Sequence, residues 1–117
     1  MPNIVIIGGG PAGLSAAIYA VRAGMQATVL YKDGGALAKT DKIENYFGFI
    51  DPVSGAELLE RGQKQAERLG AVLRQTEVTG IEYAAQGFTV KTADGVFDAD
   101  AVILATGSPR AVPKSRA

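Results

Sequence analysis

The sequence predicts an α/β fold, with a parallel sheet, helices on both faces of that sheet and a small antiparallel β-meander. Three observations lead to this prediction. The chain opens with the pattern of a buried strand, a glycine-rich turn and a helix, in that order. Further along, residues 78–97 alternate between apolar and polar positions and are interrupted by the turn residues of hairpins. The run Ala101–Ala105 is continuously apolar, which is typical of a strand buried on both faces.

The composition argues against several classes of function. The chain has 117 residues, enough for one modest domain. Lys+Arg and Asp+Glu balance at 12 each, so we expect no basic surface for a nucleic acid or an anionic membrane. With no Cys and no His, we expect no thiol chemistry, no imidazole catalysis and no metal site. The first apolar run is too short for a signal peptide or a membrane span, so a cytoplasmic location is the default expectation.

Residues 1–24 contain the elements of a dinucleotide-binding unit in the expected order. Ile4–Ile7 is an unbroken apolar run, Gly8–Gly13 follows it at once, and Leu14–Ala23 has the pattern of a helix. A second strand pattern begins at Ala27. A glycine turn alone is a weak signal, but the strand before it and the helix after it make the assignment more specific. A tight strand-to-helix turn without a ligand is the alternative.

The glycines of this turn have separate predicted roles. Gly8 turns the chain sharply away from the strand, Gly10 lets a pyrophosphate approach the backbone, and Gly13 lets the helix pack close to the sheet. The free amides and the positive dipole end of the helix would bind the phosphates, so no basic side chain is needed there.

The middle of the chain predicts a strand, a long loop, a helix and a short third strand. Ala27–Tyr31 is the second strand, and Ala36–Asp51 has neither a helical nor a strand period, which is typical of a functional loop. The helix Gly55–Leu69 begins with a capping box formed by Ser54 and Glu57. We interpret the charged side of this helix as ordinary solvated surface.

Three segments of the chain together resemble the FAD-binding part of low-molecular-weight thioredoxin reductases, within the pyridine nucleotide-disulphide oxidoreductase family. These segments are Ile6–Gly13 with Ala17 and Gly24, Gly34–Leu37 with Ile43–Phe49, and Ala101–Gly107. The second segment is the most specific, because few other flavoproteins carry an E-N-aromatic-x-G-F loop at that distance from the glycine turn. The resemblance covers essentially the whole chain.

The resemblance implies that the cofactor is FAD, bound by a Rossmann-like domain that is discontinuous in these enzymes. Residues 1–107 would be the N-terminal part of that FAD-binding domain, and residues 108–117 a linker-like tail. The residues implied to hold the pyrophosphate are Gly8, Gly10, Pro11, Ala12 and Gly13. Those implied to lie along the flavin and its ribityl chain are Gly35, Leu37, Thr40 and Asn45, with Thr106 and Gly107 at the far edge.

Some positions depart from the usual pattern. Dinucleotide sites often place an acidic residue at the end of the second strand to bind the ribose hydroxyls. Tyr31 and Lys32 stand there, so Asp33 is the nearest carboxylate, and it serves either the ribose or a simple surface turn. Asn45 has a similar alternative as a turn residue that makes local backbone bonds. Ala36 stands where these reductases commonly have Gln.

The resemblance also implies that other parts of the enzyme lie outside this chain. It contains neither a C-x-x-C pair nor a second glycine fingerprint for a pyridine nucleotide. We therefore expect no catalytic residue here and little or no disulphide reduction by this chain alone. The expected partners are FAD and a missing NAD(P)H-binding domain or partner chain, and a homodimer is left open. The alternatives are a non-catalytic dinucleotide-binding module and a fragment of an NAD-dependent dehydrogenase.

Overall fold

The structure, a computed structural model, describes residues 1–33 and 35–106. Its elements are β1 (Asn3–Ile7), α1 (Pro11–Arg22), β2 (Gln26–Tyr31), a 3-10 helix (Ala36–Lys39), α2 (Gly55–Arg68), β3 (Val72–Gln75), β4 (Val78–Tyr83), β5 (Phe88–Thr92), β6 (Gly95–Ala99) and β7 (Ala101–Leu104). The predicted fold class is confirmed, because a parallel sheet with helices is combined with a small antiparallel sheet. Within the described ranges, no helix is long and apolar enough to cross a membrane.

The parallel sheet has the strand order β3-β2-β1-β7, with β1 in its interior. Val5 and Ile6 of β1 are fully buried, as the apolar run predicted. Ile7 lies beside Leu30 of β2 on one side and beside Leu104 of β7 on the other. The carboxyl ends of these three strands therefore lie at one edge of the sheet, which is the edge where ligands of open α/β sheets bind.

Different layers cover the two faces of the parallel sheet, which corrects the prediction of helices on both faces. On one face, α1 and α2 form a core with alternate positions of β1, and this core includes Ile4, Ile6, Leu14, Ala17, Leu59 and Ala66. On the other face, Val5 and Ile7 pack with Val90 and Ala99 of the antiparallel sheet. The prediction was wrong because an apolar run indicates that both faces of a strand are covered, but not which element covers each face.

β7 is an edge strand in the described part of the chain, although the sequence predicted a strand buried on both faces. It pairs with β1, and no second neighbour occurs among residues 1–33 and 35–106. Ile103 is 39% exposed and Leu104 is 68% exposed. The prediction of burial is therefore wrong for the described part of the chain, because β7 has the apolar composition of an interior strand but the described residues place no strand on its outer side.

The antiparallel sheet confirms the predicted meander. β4 pairs with β5, and β5 pairs with β6. Gly87 lies in the turn between β4 and β5, and Gly95 is the first residue of β6, directly after the turn from β5; both have positive φ, as the hairpin signals required. Through Val90 and Ala99, this sheet supplies the apolar layer under the parallel sheet that a helix supplies in a doubly wound fold.

The 3-10 helix packs against the first turn of α2 through Gly55. The amide of Gly55 donates to the carbonyl oxygen of Thr40 at 2.7 Å. A Cβ atom at residue 55 would overlap the carbonyl group of Leu37, so this contact depends on glycine. The segment predicted as a long functional loop therefore begins with a 3-10 helix and is attached to α2 by its backbone.

We expect Gly55→Ala to lower the free energy of unfolding by about 1–3 kcal/mol, because the added methyl group must displace backbone atoms. Gly62→Ala in the same helix is the matched control, since its Cβ atom would lie 3.4 Å from Leu14 Cδ1. There the higher helix propensity of alanine predicts a gain of up to about 1 kcal/mol. Urea unfolding followed by circular dichroism measures both changes, and equal stability of the two variants would contradict the packing described for Gly55.

Candidate functional site

The first turn of α1 follows β1 at the carboxyl edge of the parallel sheet and lacks a side-chain cap. Gly10 is its N-cap residue, with φ −81° and ψ −168°, and the described first turn contains no acidic residue. Pro11 at the first helical position has no N–H group. The amide of Leu14 bonds to the Gly10 carbonyl oxygen at 3.0 Å and begins the helical pattern. The preceding amides carry the positive end of the helix dipole, which suits a phosphate.

The first turn of α2 has the opposite arrangement. Ser54 is its N-cap residue, and the amide of Glu57 donates to the Ser54 hydroxyl at 3.1 Å, which confirms this half of the predicted capping box. The Glu57 carboxylate accepts a hydrogen bond from Arg61 at 2.8 Å. A side chain of the protein thus caps α2, whereas the described residues bring no side-chain cap to α1, so α1 is the candidate site for an anionic ligand.

Three glycines let the segments around the α1 turn approach each other closely. Gly8 has φ +122°, and a Cβ atom there would overlap the carbonyl oxygen of Ala105, just after β7. A Cβ atom at Gly13 would overlap the carbonyl oxygen of Gly8. This geometry agrees with the roles predicted for Gly8 in the turn and for Gly13 in close packing. Gly9, which had no predicted role, permits contact with Tyr31, whose Cβ would lie 2.5 Å from an added Cβ atom.

The end of β2 continues into a turn around Asp33. The amide of Gly35 donates to Asp33 Oδ1 at 2.8 Å, and Gly35 has φ +70°. This bond corresponds to the surface-turn alternative for Asp33, and a contact with a ribose hydroxyl stays a prediction. Lys32 forms an ion pair with Glu77 at 3.6 Å, and its carbonyl oxygen accepts a bond from Gln75 Nε2 at 3.1 Å. The carboxyl end of β2 is thereby joined to the last residue of β3 and to Glu77 just after it.

An apolar cavity of about 210 Å³ lies between α1, the 3-10 helix, the loop after it and α2. Its walls include Pro11, Leu14, Leu37, Tyr46, Phe49 and Leu58. Two residues predicted to contact the cofactor, Pro11 and Leu37, therefore line the same space. Ligand sites for drug-sized molecules usually measure about 300–1,000 Å³, so this cavity has room for part of such a ligand and not for a whole flavin nucleotide.

The remaining predicted residues lie outside this cavity. Thr40 is exposed, and its amide donates to the Leu37 carbonyl oxygen at 3.0 Å. Asn45 is exposed in the loop directly before Tyr46. Thr106 is exposed and follows Ala105 beside the glycine turn. The predicted positions that lie outside the described residues are Gly34, Gly107 and the linker-like tail, residues 108–117. For every predicted site residue, including those that line the cavity, contact with a cofactor stays a prediction.

Sequence reasoning missed the part that α2 plays in holding the loop before it. The Arg61 guanidinium lies 5.5 Å from the centroid of the Phe49 ring. The Phe49 ring in turn meets Tyr46 edge-on, with centroids 5.7 Å apart. The spacing of Glu57 and Arg61 predicts their ion pair. Nothing in the sequence near Arg61 indicates that an aromatic ring from another segment lies against its guanidinium. The sequence analysis therefore interprets Glu57 and Arg61 as ordinary solvated surface.

Comparison with known protein families gives a match along almost the entire chain. A sequence model of the family described as pyridine nucleotide-disulphide oxidoreductase matches residues 2–116. The chain is 42% identical over 112 residues to NADPH-dependent thioredoxin reductase 3 of Arabidopsis thaliana, covering 91% of this chain and 21% of that protein. It is 43% identical over 110 residues to the thioredoxin reductase of Streptomyces coelicolor, covering 91% and 34% respectively. It therefore spans only about a fifth to a third of these relatives.

Solved structures give the same result in three dimensions. The atypical thioredoxin reductase TRi from Desulfovibrio vulgaris Hildenborough matches with a TM-score of 0.86 and 46% sequence identity, covering 97% of this chain and 38% of that one. A thioredoxin reductase from Gloeobacter violaceus matches with a TM-score of 0.89 and 38% identity, covering 97% and 39%. The similarity thus includes the parallel sheet, both α-helices and the antiparallel sheet.

The different starts of the two helices lead to opposite expectations for their N-cap residues. Ser54→Ala should lower the free energy of unfolding by about 1 kcal/mol, because it removes the acceptor of the Glu57 amide. Gly10→Ser should leave stability unchanged or raise it by a few tenths of a kcal/mol, since the backbone angles suit serine and the hydroxyl can cap α1. Urea unfolding without ligand measures both. A loss in Gly10→Ser as large as that in Ser54→Ala would indicate that the α1 amides already have partners.

Proposed function

The chain belongs to the pyridine nucleotide-disulphide oxidoreductase family, and we propose that its residues 1–107 are the FAD-binding portion of a thioredoxin reductase-like enzyme. The observation that carries this proposal is the first turn of α1, which has no side-chain cap and no acidic residue and directly follows the glycine turn. A diphosphate is the group that such a turn accommodates best, because it accepts hydrogen bonds from several backbone amides and is stabilised by the helix dipole.

The pyrophosphate would lie against the backbone of the turn. In this proposal it is held by Gly8, Gly10, Pro11, Ala12 and Gly13. Pro11 provides no hydrogen bond but holds φ near the helical value at the first position, so the amides after it are oriented before the ligand arrives. Binding by the backbone alone is consistent with the neutral composition of the chain and with the lack of a basic residue in the turn.

The flavin end would lie along the segment after β2. The proposed contacts are Gly35, Leu37, Thr40 and Asn45, with Thr106 and Gly107 at the far edge and Asp33 near the ribose. An uncharged ring system needs apolar walls and a few polar groups that orient it, and Leu37 with Asn45 provides this combination. When bound, FAD supplies the redox chemistry, while the residues of this chain bind and orient it.

The remainder of the enzyme is also part of the proposal. The chain spans 21% and 34% of two relatives and contains no Cys, so reduction of a disulphide requires groups that it does not supply. We propose that an NAD(P)H-binding domain or a partner chain provides them, and that residues 108–117 link to it. No catalytic residue is assigned within this chain. A homodimer and a cytoplasmic location stay predictions.

Purified protein of 117 residues tests the choice of ligand directly. We expect FAD to bind more tightly than ADP-ribose or NAD, because the flavin adds contacts beyond those of the shared diphosphate. Isothermal titration of the three ligands, together with the visible absorption spectrum of the FAD complex, provides the measurement. Equal affinities for all three would instead favour a non-catalytic dinucleotide-binding module, and preference for NAD would favour a dehydrogenase fragment.

A charge placed at the N-cap of α1 tests the position of the diphosphate. Gly10→Asp should weaken FAD binding by at least about ten-fold without unfolding the protein, because the carboxylate caps the amides and repels the ligand. Gly80→Asp adds the same charge on β4, where an added Cβ atom meets nothing within 4 Å, and should leave the affinity unchanged. FAD titration of both variants provides the comparison. Unchanged affinity in Gly10→Asp would contradict the proposed site.

A further inference from the structure

The loop before α2, residues 41–53, is attached to the protein at its two ends and has few bonds at its tip. We call it the aromatic loop. The amide of Ile43 donates to the Val53 carbonyl oxygen at 2.7 Å, and the amide of Val53 donates back at 3.1 Å. Between these residues, the one described backbone hydrogen bond joins the Phe49 amide to the Tyr46 carbonyl oxygen at 3.2 Å. The tip therefore depends on side chains for a fixed position.

Phe49 is the least exposed of the large apolar side chains at the tip, and it packs against α2. It is partly buried, whereas Phe47 is 99% exposed and Ile50 is 100% exposed. The Arg61 guanidinium of α2 lies 5.5 Å from its ring centroid, within the range of a cation–π interaction. Tyr46 meets the same ring at an interplanar angle of 86°, the edge-to-face arrangement that aromatic pairs prefer. Arg61 thus holds Phe49, and Phe49 contacts the residue next to Asn45.

Arg61 is itself oriented by residues of α2. Its Nη2 donates to the Glu57 carboxylate at 2.8 Å, one turn earlier in the helix. The backbone of Glu57 is held in turn by the Ser54 hydroxyl at 3.1 Å. A second pair with the same spacing, Glu60 and Lys64, lies 3.5 Å apart and is similarly exposed, but none of the described ring contacts involves it. The two pairs thus share their spacing and their exposure to solvent, and among the described ring contacts only that of Arg61 involves a member of either pair.

We infer that Arg61 is a positioning residue for the cofactor site, because it holds Phe49 and through Tyr46 fixes the part of the aromatic loop that carries Asn45. This inference rests on the proposed function, in which Asn45 contacts the flavin. Arginine suits this role because its planar guanidinium can keep its ion pair with Glu57 and at the same time stack on an aromatic ring. The charged side of α2 then acts on binding through its hold on the aromatic loop.

Three single variants of the full chain test this inference by FAD titration. Arg61→Gln should weaken FAD binding by about two- to five-fold, the effect of losing one exposed cation–π contact that orders the loop. Arg61→Lys keeps a cation but loses the planar group, so it should recover part of the loss. Lys64→Gln removes the matched exposed charge and should bind FAD as the original chain does. The visible spectrum and fluorescence of bound flavin, which report the environment of the ring, should shift most in Arg61→Gln, less in Arg61→Lys and not in Lys64→Gln.

A double-mutant cycle separates action through Phe49 from a general effect of charge or stability. Phe49→Leu should weaken FAD binding by about the same factor as Arg61→Gln, and the double variant should bind no more weakly than either one. Fully additive losses would overturn the inference, as would equal FAD affinity and spectra in Arg61→Gln and the original chain.

Cleavage by chymotrypsin after Tyr46 and Phe47, measured without ligand, distinguishes failure of this inference from failure of the proposed function. We expect faster cleavage in Arg61→Gln than in Lys64→Gln, because the tip is released. If the original chain binds FAD and Arg61→Gln does not differ from it, the inference alone is overturned. If the original chain does not bind FAD, the proposed function fails, and the role of Arg61 in cofactor binding fails with it. The cleavage rates then still test whether Arg61 holds the aromatic loop.

Discussion

The structure depends on the absence of side chains at the turn after β1. At Gly8 the backbone of residue 105 comes too close for a Cβ atom, and at Gly13 the carbonyl oxygen of Gly8 does the same. These two approaches bring the end of β7 and the first turn of α1 together around the end of β1. The lack of side chains that permits this packing also leaves the helix amides approachable, so the requirement for close contact and the capacity to bind an anion have one origin.

The two α-helices divide the remaining tasks. α1 starts at the sheet edge without a side-chain cap, whereas α2 is capped by Ser54 and packs on the same face of the sheet. From that position α2 receives the 3-10 helix at Gly55 and the aromatic loop at Arg61. The first amides of α1 are therefore left without a side-chain cap, while α2 supports the two segments that the proposed function places around the cofactor.

The features that sequence analysis predicted correctly are those determined by a few neighbouring residues. The strand–turn–helix unit, the start of α2 at Ser54 and the glycine hairpin turns depend on local chemistry. The errors concern contacts between distant segments: which layer covers Val5, whether β7 has a second neighbour, and which ring lies against Arg61. In the candidate site, the packing roles of Gly8 and Gly13 followed from the motif. For Asp33 the sequence left two alternatives open, a ribose contact and a surface turn. Residue types alone do not give the hydrogen-bond geometry, so the bond from the Gly35 amide to Asp33 could be seen only in the structure.

The outer side of β7 has a consequence for the handling of this polypeptide. Ile103 and Leu104 expose apolar surface beside backbone groups for which the described residues provide no ladder partner. A strand edge of this kind can recruit any extended segment of suitable register, including the same segment of another molecule. Preparations at high concentration should therefore tend to associate through this edge, and charged or proline substitutions there are the natural means of keeping the protein dispersed.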